Sequence, residues 1–164
     1  MITMTWEQIC DDPHLRDLPY KIEQDRYGRV VMSPAKLDHG RHQGKLYALL
    51  ESLLPGWAAF IECGIETPEG VKVPDVAAMR GDRARRFRGM TSLPVAPEIC
   101  VEVLSWSNSA DEIDEKRRLY AAQGCQEFWT CSEQGEMIFL DAASGERMGK
   151  SAICPKFPAL IQLD

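Results

Sequence analysis

No apolar run in this chain approaches the roughly 18 residues that cross a bilayer. The opening residues, Met1-Ile2-Thr3-Met4-Thr5-Trp6-Glu7, contain neither a basic n-region nor an apolar h-region, so a cytoplasmic location is expected. The six cysteines, Cys10, Cys63, Cys100, Cys125, Cys131 and Cys154, never stand in C-x-x-C spacing, which removes the usual zinc-site signature. Several lie inside apolar segments and read as buried free thiols in a reducing compartment. There is no P-loop, G-x-G-x-x-G, G-x-S-x-G or H-E-x-x-H, so the motif-borne nucleotide, serine-hydrolase and zincin chemistries have no support. An excess of cations is missing too: 19 Lys and Arg stand against 25 Asp and Glu, a net charge of −6. That balance argues against a non-specific nucleic-acid coat.

What is present fits one domain spanning residues 1–164, with an apolar content of 45% that suffices for a sizeable core. Thr5-Trp6-Glu7-Gln8 has the form of a helix N-terminus. Residues 20–24 and 29–33 flank a turn containing Asp25 and Gly28, which predicts a hairpin ended by Pro34. Leu46, Leu49, Leu50, Leu53 and Leu54 repeat at helical spacing within 37–54 and place His39 and His42 on the inward side. Residues 57–66 and 71–79 predict two strands of a hairpin around Glu69-Gly70. The segment 98–105 is apolar on both faces and reads as a central strand. Ser109-Ala110-Asp111-Glu112 is a capping box opening a helix to about Gln123, with Gly124 beyond its end. Strands at 126–131 and 136–141 follow. The order predicts an α/β (α+β) fold, one mixed β-sheet flanked by helices.

Two acids interrupt the strands. Asp75 lies in Val73-Pro74-Asp75-Val76 and Glu102 in Val101-Glu102-Val103. An isolated buried carboxylate is costly, so such groups bind a metal, pair with a cation or stay protonated. Strand alternation sets Asp75 on the face of Val71, Val73 and Ala77, and Glu102 with Cys100 and Leu104. Together they suit a hard divalent cation such as Mg²⁺ (or Mn²⁺) and a metal-dependent hydrolase; the bland alternative is that each acid caps or pairs with an arginine. Lys116 falls on the apolar face of its helix with Ile113 and Tyr120, within reach of the sheet acids, unless its amine snorkels out. His39 and His42 are candidate ligands, acids, bases or phosphate donors, though histidines at a helix start are commonly structural. Glu23 and Glu62 are further strand acids able to complete a metal shell, or ordinary surface carboxylates. Arg80, Arg83, Arg85, Arg86 and Arg88 form a local basic patch suited to phosphate contacts, although a charge run is usually a solvated face.

From about Tyr20 to Leu140 the chain resembles the Uma-two family of putative restriction endonucleases, within the PD-(D/E)XK nuclease superfamily. The landmarks are Val30-Val31-Met32-Ser33-Pro34 followed by His39, then Val73-Pro74-Asp75-Val76 and Glu102-Val103-Leu104-Ser105. After these come Glu115-Lys116-Arg117-Arg118-Leu119-Tyr120, Gly124 and Glu127-Phe128-Trp129. The resemblance implies a restriction-endonuclease-like core with Asp75 and Glu102 as metal-binding acids. Leu104 stands where the superfamily usually has lysine, and in this family that role shifts to the following helix, hence to Lys116. Glu23 matches the acid near the start of the family pattern and His39 its histidine, both as supporting residues. Trp106 stands where a proline is common. The expected activity is Mg²⁺-dependent hydrolysis of DNA phosphodiester bonds, with Arg83, Arg85, Arg86 and Arg88 on phosphate. Homodimerisation is expected of a nuclease that cuts both strands. The alternatives are a catalytically inactive nucleic-acid- or protein-binding module on the same fold, and a hydrolase of small phosphoesters.

Overall fold

A computed structural model describes residues 3–164. The chain enters through a short helix, α1 (Trp6–Asp11), whose capping box forms as its sequence predicts: Thr5 Oγ1 accepts from Gln8 N–H, and the Gln8 side chain accepts from Thr5 N–H. A hairpin follows, β1 (Tyr20–Gln24) and β2 (Val30–Pro34). Its turn is held by the Asp25 carboxylate, which accepts from Tyr27 N–H and Arg29 N–H, with Gly28 at φ 77°. Helix α2 (Leu37–Leu53) then packs its Leu46 and Leu50 stripe into the core.

The central sheet has six strands. In chain order these are β3 (Trp57–Ile61), β6 (Val76–Arg80), β7 (Ile99–Val103), β8 (Glu127–Cys131), β9 (Met137–Asp141) and β10 (Arg147–Met148). Their order across the sheet is β10-β9-β8-β7-β6-β3. Only β7 and β8 run parallel, connected through helix α4 (Ala110–Ala122). A parallel neighbour requires such a crossover, because a tight turn can join only antiparallel strands. Ser109 Oγ caps α4 by accepting from Glu112 N–H, and Gly124 at φ 102° follows its end.

The sheet is buried on both faces. On one, Leu46, Leu50 and Leu54 meet Val76, Ala78, Val101, Val103 and Trp129, with Phe157 and Ile161 of the C-terminal segment completing the layer. On the other, Tyr120 and Cys125 meet Cys100 and Phe128. Strand β7, central as expected, is buried at every position. All six cysteines are free; Cys100, Cys125, Cys131 and Cys154 are buried, whereas Cys10 is exposed and Cys63 half-buried.

The expected hairpin over 57–79 is present but broken in both arms. Its first arm ends at Ile61, where Glu62 adopts φ 54°, and resumes as β4 (Ile65–Thr67). Its second arm is β5 (Gly70–Lys72), then a break at Val73-Pro74-Asp75, then β6. Pro74 has no N–H to give to a ladder, so the strand cannot continue through it. The tip, β4 with β5, becomes a separate ribbon, while β3 with β6 stays in the sheet. Asp75 therefore sits in the break, ahead of β6, and not within a strand that alternates regularly from Val71. Among the described residues no helix is long and apolar enough to cross a membrane.

Candidate active site

The break before β6 and the C-terminal end of β7 lie side by side, because the two strands pair antiparallel with Val76 opposite Val101. Asp75 is 1% exposed and Glu102 3% exposed. The β1–β2 hairpin and α4 bring their own groups to the same place. Glu23 Oε1 on β1 accepts from Val73 N–H at 2.8 Å and lies 3.0 Å from Lys116 Nζ on α4. Lys116 Nζ is also 3.5 Å from Glu102 Oε1, and Tyr120 OH, one helical turn further on, donates to the same oxygen at 2.9 Å. His39 Nε2 approaches Asp75 Oδ1 at 3.2 Å from the first turn of α2. The structure thus assembles Asp75, Glu102, Lys116, Glu23 and His39 from five separate segments.

A sixth group has no counterpart among the sequence-based candidates. Lys21 Nζ stands 3.0 Å from Asp75 Oδ1 and 3.2 Å from Glu102 Oε2, bridging the two acids. Strand alternation could have found it, since Lys21 and Glu23 share one face of β1. Tyr120, which the sequence marks only as part of the apolar face of α4, is the other addition.

Each acid has one oxygen tied down by the fold. Asp75 Oδ2 accepts from Val103 N–H at 2.7 Å, and Glu102 Oε1 takes Tyr120 and Lys116. The second oxygens, Asp75 Oδ1 and Glu102 Oε2, both point at Lys21. Gln43 supports the break from behind, donating to the Asp75 backbone carbonyl at 2.9 Å and to Glu62 Oε1 at 3.2 Å. Glu62 is itself exposed, turned away by its backbone.

Three carboxylates and two ammonium groups in one buried cluster shift one another unequally. Burial acts to raise the Asp75 carboxyl, but Lys21 and the His39 hydrogen bond outweigh it and hold the group well below the usual carboxylate range. Burial likewise opposes ionisation of Glu23, and Lys116, Lys21 and the Val73 N–H overcome it. For Glu102 burial dominates; Lys116 and Lys21 oppose it only in part, so this carboxyl is raised. Burial acts to lower Lys21, yet the charges of Glu102, Asp75 and Glu23 push it above the ordinary lysine value. The hydrogen bond to Asp75 raises His39.

Lys21, His39, Asp75, Glu102 and Lys116 line a cleft of about 170 Å³ whose walls also include Met32, Ser33, Ser105, Ser107 and Asn108. Trp106, between Ser105 and Ser107 in the chain, is 78% exposed. His42, by contrast, is buried deeper along α2, beside a neighbouring depression.

The donor set tests whether a cation fits. No group of three or more His, Cys, Asp or Glu positioned to hold a metal ion occurs among the described residues. The cleft therefore offers no complete protein cage. It offers two carboxylate oxygens aimed at one cationic position, which suits Mg²⁺, an ion that takes one or two carboxylates and fills its remaining positions with water and phosphate. Asp75 and Glu102 fit such an ion.

The arginine cluster lies elsewhere. It begins at Arg80, the last residue of β6, and continues through the single helical turn α3 (Gly81–Ala84). The five-residue rise of the strand puts it about 17 Å from Asp75, at the opposite end of the sheet. Arg83 is engaged by Glu98 Oε1 at 2.6 Å, and Arg80 lies over the Trp57 ring. Arg85, Arg86 and Arg88 are exposed, and none of the cluster lines the acidic cleft.

A mixed sheet with paired acids where two central strands meet, and a lysine delivered by the adjoining helix, defines a restriction-endonuclease-like nuclease fold. The chain belongs to the Uma2 family, described as putative restriction endonuclease, whose pattern matches residues 11–146. Among solved structures it is similar to a protein of Anabaena variabilis ATCC 29413 described as a putative nuclease belonging to DUF820. The TM-score is 0.69 at 17% identity, over 88% of this chain and 83% of that one, a likeness of fold. No curated protein matches the chain.

Proposed function

We propose that this protein is a Mg²⁺- or Mn²⁺-dependent endonuclease that hydrolyses DNA phosphodiester bonds. The observation that carries the reading is the convergence of Asp75, Glu102 and Lys116 on one open cleft, with Glu23 paired to Lys116. Asp75 and Glu102 would hold the ion. When bound, the ion supplies Lewis-acid stabilisation of phosphoryl charge and makes the attacking water more acidic. The remaining work belongs to the chain. Val103 N–H and Tyr120 OH orient the two acids by their other oxygens. Glu23 holds the Lys116 ammonium in place at the cleft, where it steadies the scissile phosphate or positions the water. His39 supports Asp75. The exposed Arg85, Arg86 and Arg88 bind backbone phosphate at a distance from the cut, which makes binding salt-sensitive. Cleavage of both strands calls for two such sites in a homodimer. Buried reduced thiols suit work in the cytoplasm.

Calorimetry with Mn²⁺ and Mg²⁺, on wild type and on the double variant Asp75→Ala/Glu102→Ala, tests the reading together with plasmid nicking. Binding and nicking that both vanish in the double variant are expected. Nicking retained in Asp75→Asn would remove Asp75 from the mechanism. A second reading, an inactive nucleic-acid- or protein-binding module, is favoured by one observation: Lys21 already neutralises the acid pair, and no buried side-chain polar atom among the described residues lacks a partner. It predicts no Mn²⁺ binding and partner binding unchanged by Glu102→Gln.

A further inference from the structure

We propose that Lys21 is the resident counter-cation of the acid pair: its ammonium occupies the place a divalent ion takes, and it moves onto substrate phosphate when the ion enters. The inference rests on the metal-dependent reading above and adds a competitor and a coupling to it.

Lys21 Nζ is 3.0 Å from Asp75 Oδ1, which also meets His39 Nε2, and 3.2 Å from Glu102 Oε2. Lys116 meets Glu102 only through Oε1 and otherwise serves Glu23. A Mg²⁺ ion binds carboxylate oxygen at about 2.1 Å, so an ion shared by these two oxygens would overlap the Lys21 nitrogen. The two cations cannot coexist there. Like-charged carboxylates brought this close need a bridging cation or a proton, so in the metal-free protein the lysine is what keeps the pair assembled.

Charge and connectivity make displacement feasible. Among Glu23, Asp75, Glu102, Lys21 and Lys116, three carboxylates face two ammonium groups, an excess of one negative charge within these five. Adding a divalent ion reverses that to one positive charge, which a phosphodiester cancels. Keeping Lys21 in the cleft, moved but not expelled, therefore matches the charge of the substrate complex. Its flexible four-carbon stem and three rotatable donors permit the move. It is carried by β1, in a two-stranded ribbon separate from the central sheet. The cleft beyond it has polar walls at Ser33, Ser105, Ser107 and Asn108. Metal and phosphate then favour each other's binding, because phosphate gives the displaced ammonium a new partner.

The test is Mn²⁺ calorimetry on wild type, Lys21→Met and Lys21→Gln, with Asp75→Ala/Glu102→Ala as the site control. Removing the competitor should tighten Mn²⁺ binding by about ten-fold, and Lys21→Arg, which keeps the charge, should not. Wild-type binding lost in the control but equal or weaker in both Lys21→Met and Lys21→Gln overturns this proposal and leaves the metal site standing. Absence of Mn²⁺ binding in every folded variant overturns both. A second readout needs no substitution: the ¹⁵Nζ ammonium resonance of Lys21 in the wild type should be protected without metal and lose protection on adding Mg²⁺. A resonance that saturating Mg²⁺ leaves unmoved overturns the displacement even if the variants fail to fold.

Discussion

Glu102→Gln should make the metal-free protein more stable while ending its metal-dependent chemistry. The cluster holds Glu23, Asp75 and Glu102 against Lys21 and Lys116, an excess of one buried negative charge. Neutralising Glu102 leaves two acids facing two ammonium groups, with Lys21 still on Asp75 and Lys116 still on Glu23. A glutamine oxygen in the place of Oε1 still accepts from Tyr120, while the amide NH2 in the place of Oε2 faces the Lys21 ammonium and offsets part of the gain. The gain should be about 1 kcal/mol, the scale of removing a functional compromise, or roughly 2–4 °C in Tm for a chain of this size. The sign with pH follows from the raised Glu102 carboxyl. Its ionised form costs stability above its folded-state pKa, so the gain is full once the pH exceeds that raised value. It fades as pH falls toward the ordinary glutamate value of 4.5, where wild-type Glu102 becomes protonated in both states. Asp75→Asn should do the opposite, because Asp75 is held ionised by Lys21 and His39. Leaving Lys21 without that partner costs about 3 kcal/mol, a Tm lower by roughly 6–12 °C. Thermal unfolding in EDTA, followed by circular dichroism from pH 4 to pH 8, reads both. A Tm for Glu102→Gln several degrees below wild type at neutral pH would refute the charge-excess reasoning.

Other substitutions separate folding from chemistry. Glu127 is a buried carboxylate that accepts from Trp129 Nε1, Ser151 Oγ and the backbone N–H groups of Ala152 and Ile153. Glu127→Ala should lower Tm by roughly 6–12 °C, about 3 kcal/mol, because those donors lose their acceptor, and Mn²⁺ affinity in the folded variant should not change. Lys116→Met should abolish plasmid nicking yet retain Mn²⁺ binding; full nicking would take the lysine out of the mechanism. Arg85→Ala/Arg86→Ala/Arg88→Ala should flatten the salt dependence of DNA binding, the log–log slope falling by about 0.9 for each phosphate the arginines had neutralised. Arg83→Ala should instead destabilise the fold, since Arg83 is tied to Glu98.

Local pattern was a good guide wherever one segment had one environment. The leucine stripe of α2, the caps of α1 and α4, the turn at Gly28 and the central placement of β7 were all legible, because periodicity and turn chemistry act over a few residues. The 57–79 hairpin was legible only in outline. Both arms carry strand-like residues throughout, and the break rests on a positive φ at Glu62 and on Pro74 losing its place in the ladder. The short β10 left no mark, since two residues paired to Phe139 and Leu140 have no periodicity of their own.

The sequence by itself determined that acids at 75 and 102 stand in apolar surroundings, that Lys116 lies on the apolar face of its helix, and that the segment order builds one mixed sheet flanked by helices. Those features follow from solvent exclusion and from periods of two and 3.6 residues, which a single chain displays. Only the tertiary structure decided what the acids meet. Lys21 reaches them from a hairpin more than fifty residues before Asp75, and Glu23 reaches Lys116 across a longer gap still. It also parted the arginine cluster from the acids: Arg80 and Asp75 are five positions apart in the chain, yet a strand between them sets them at opposite ends of the sheet. Distance along a chain is set by local geometry, whereas partnership in a buried cluster is set by which distant segments the core brings together.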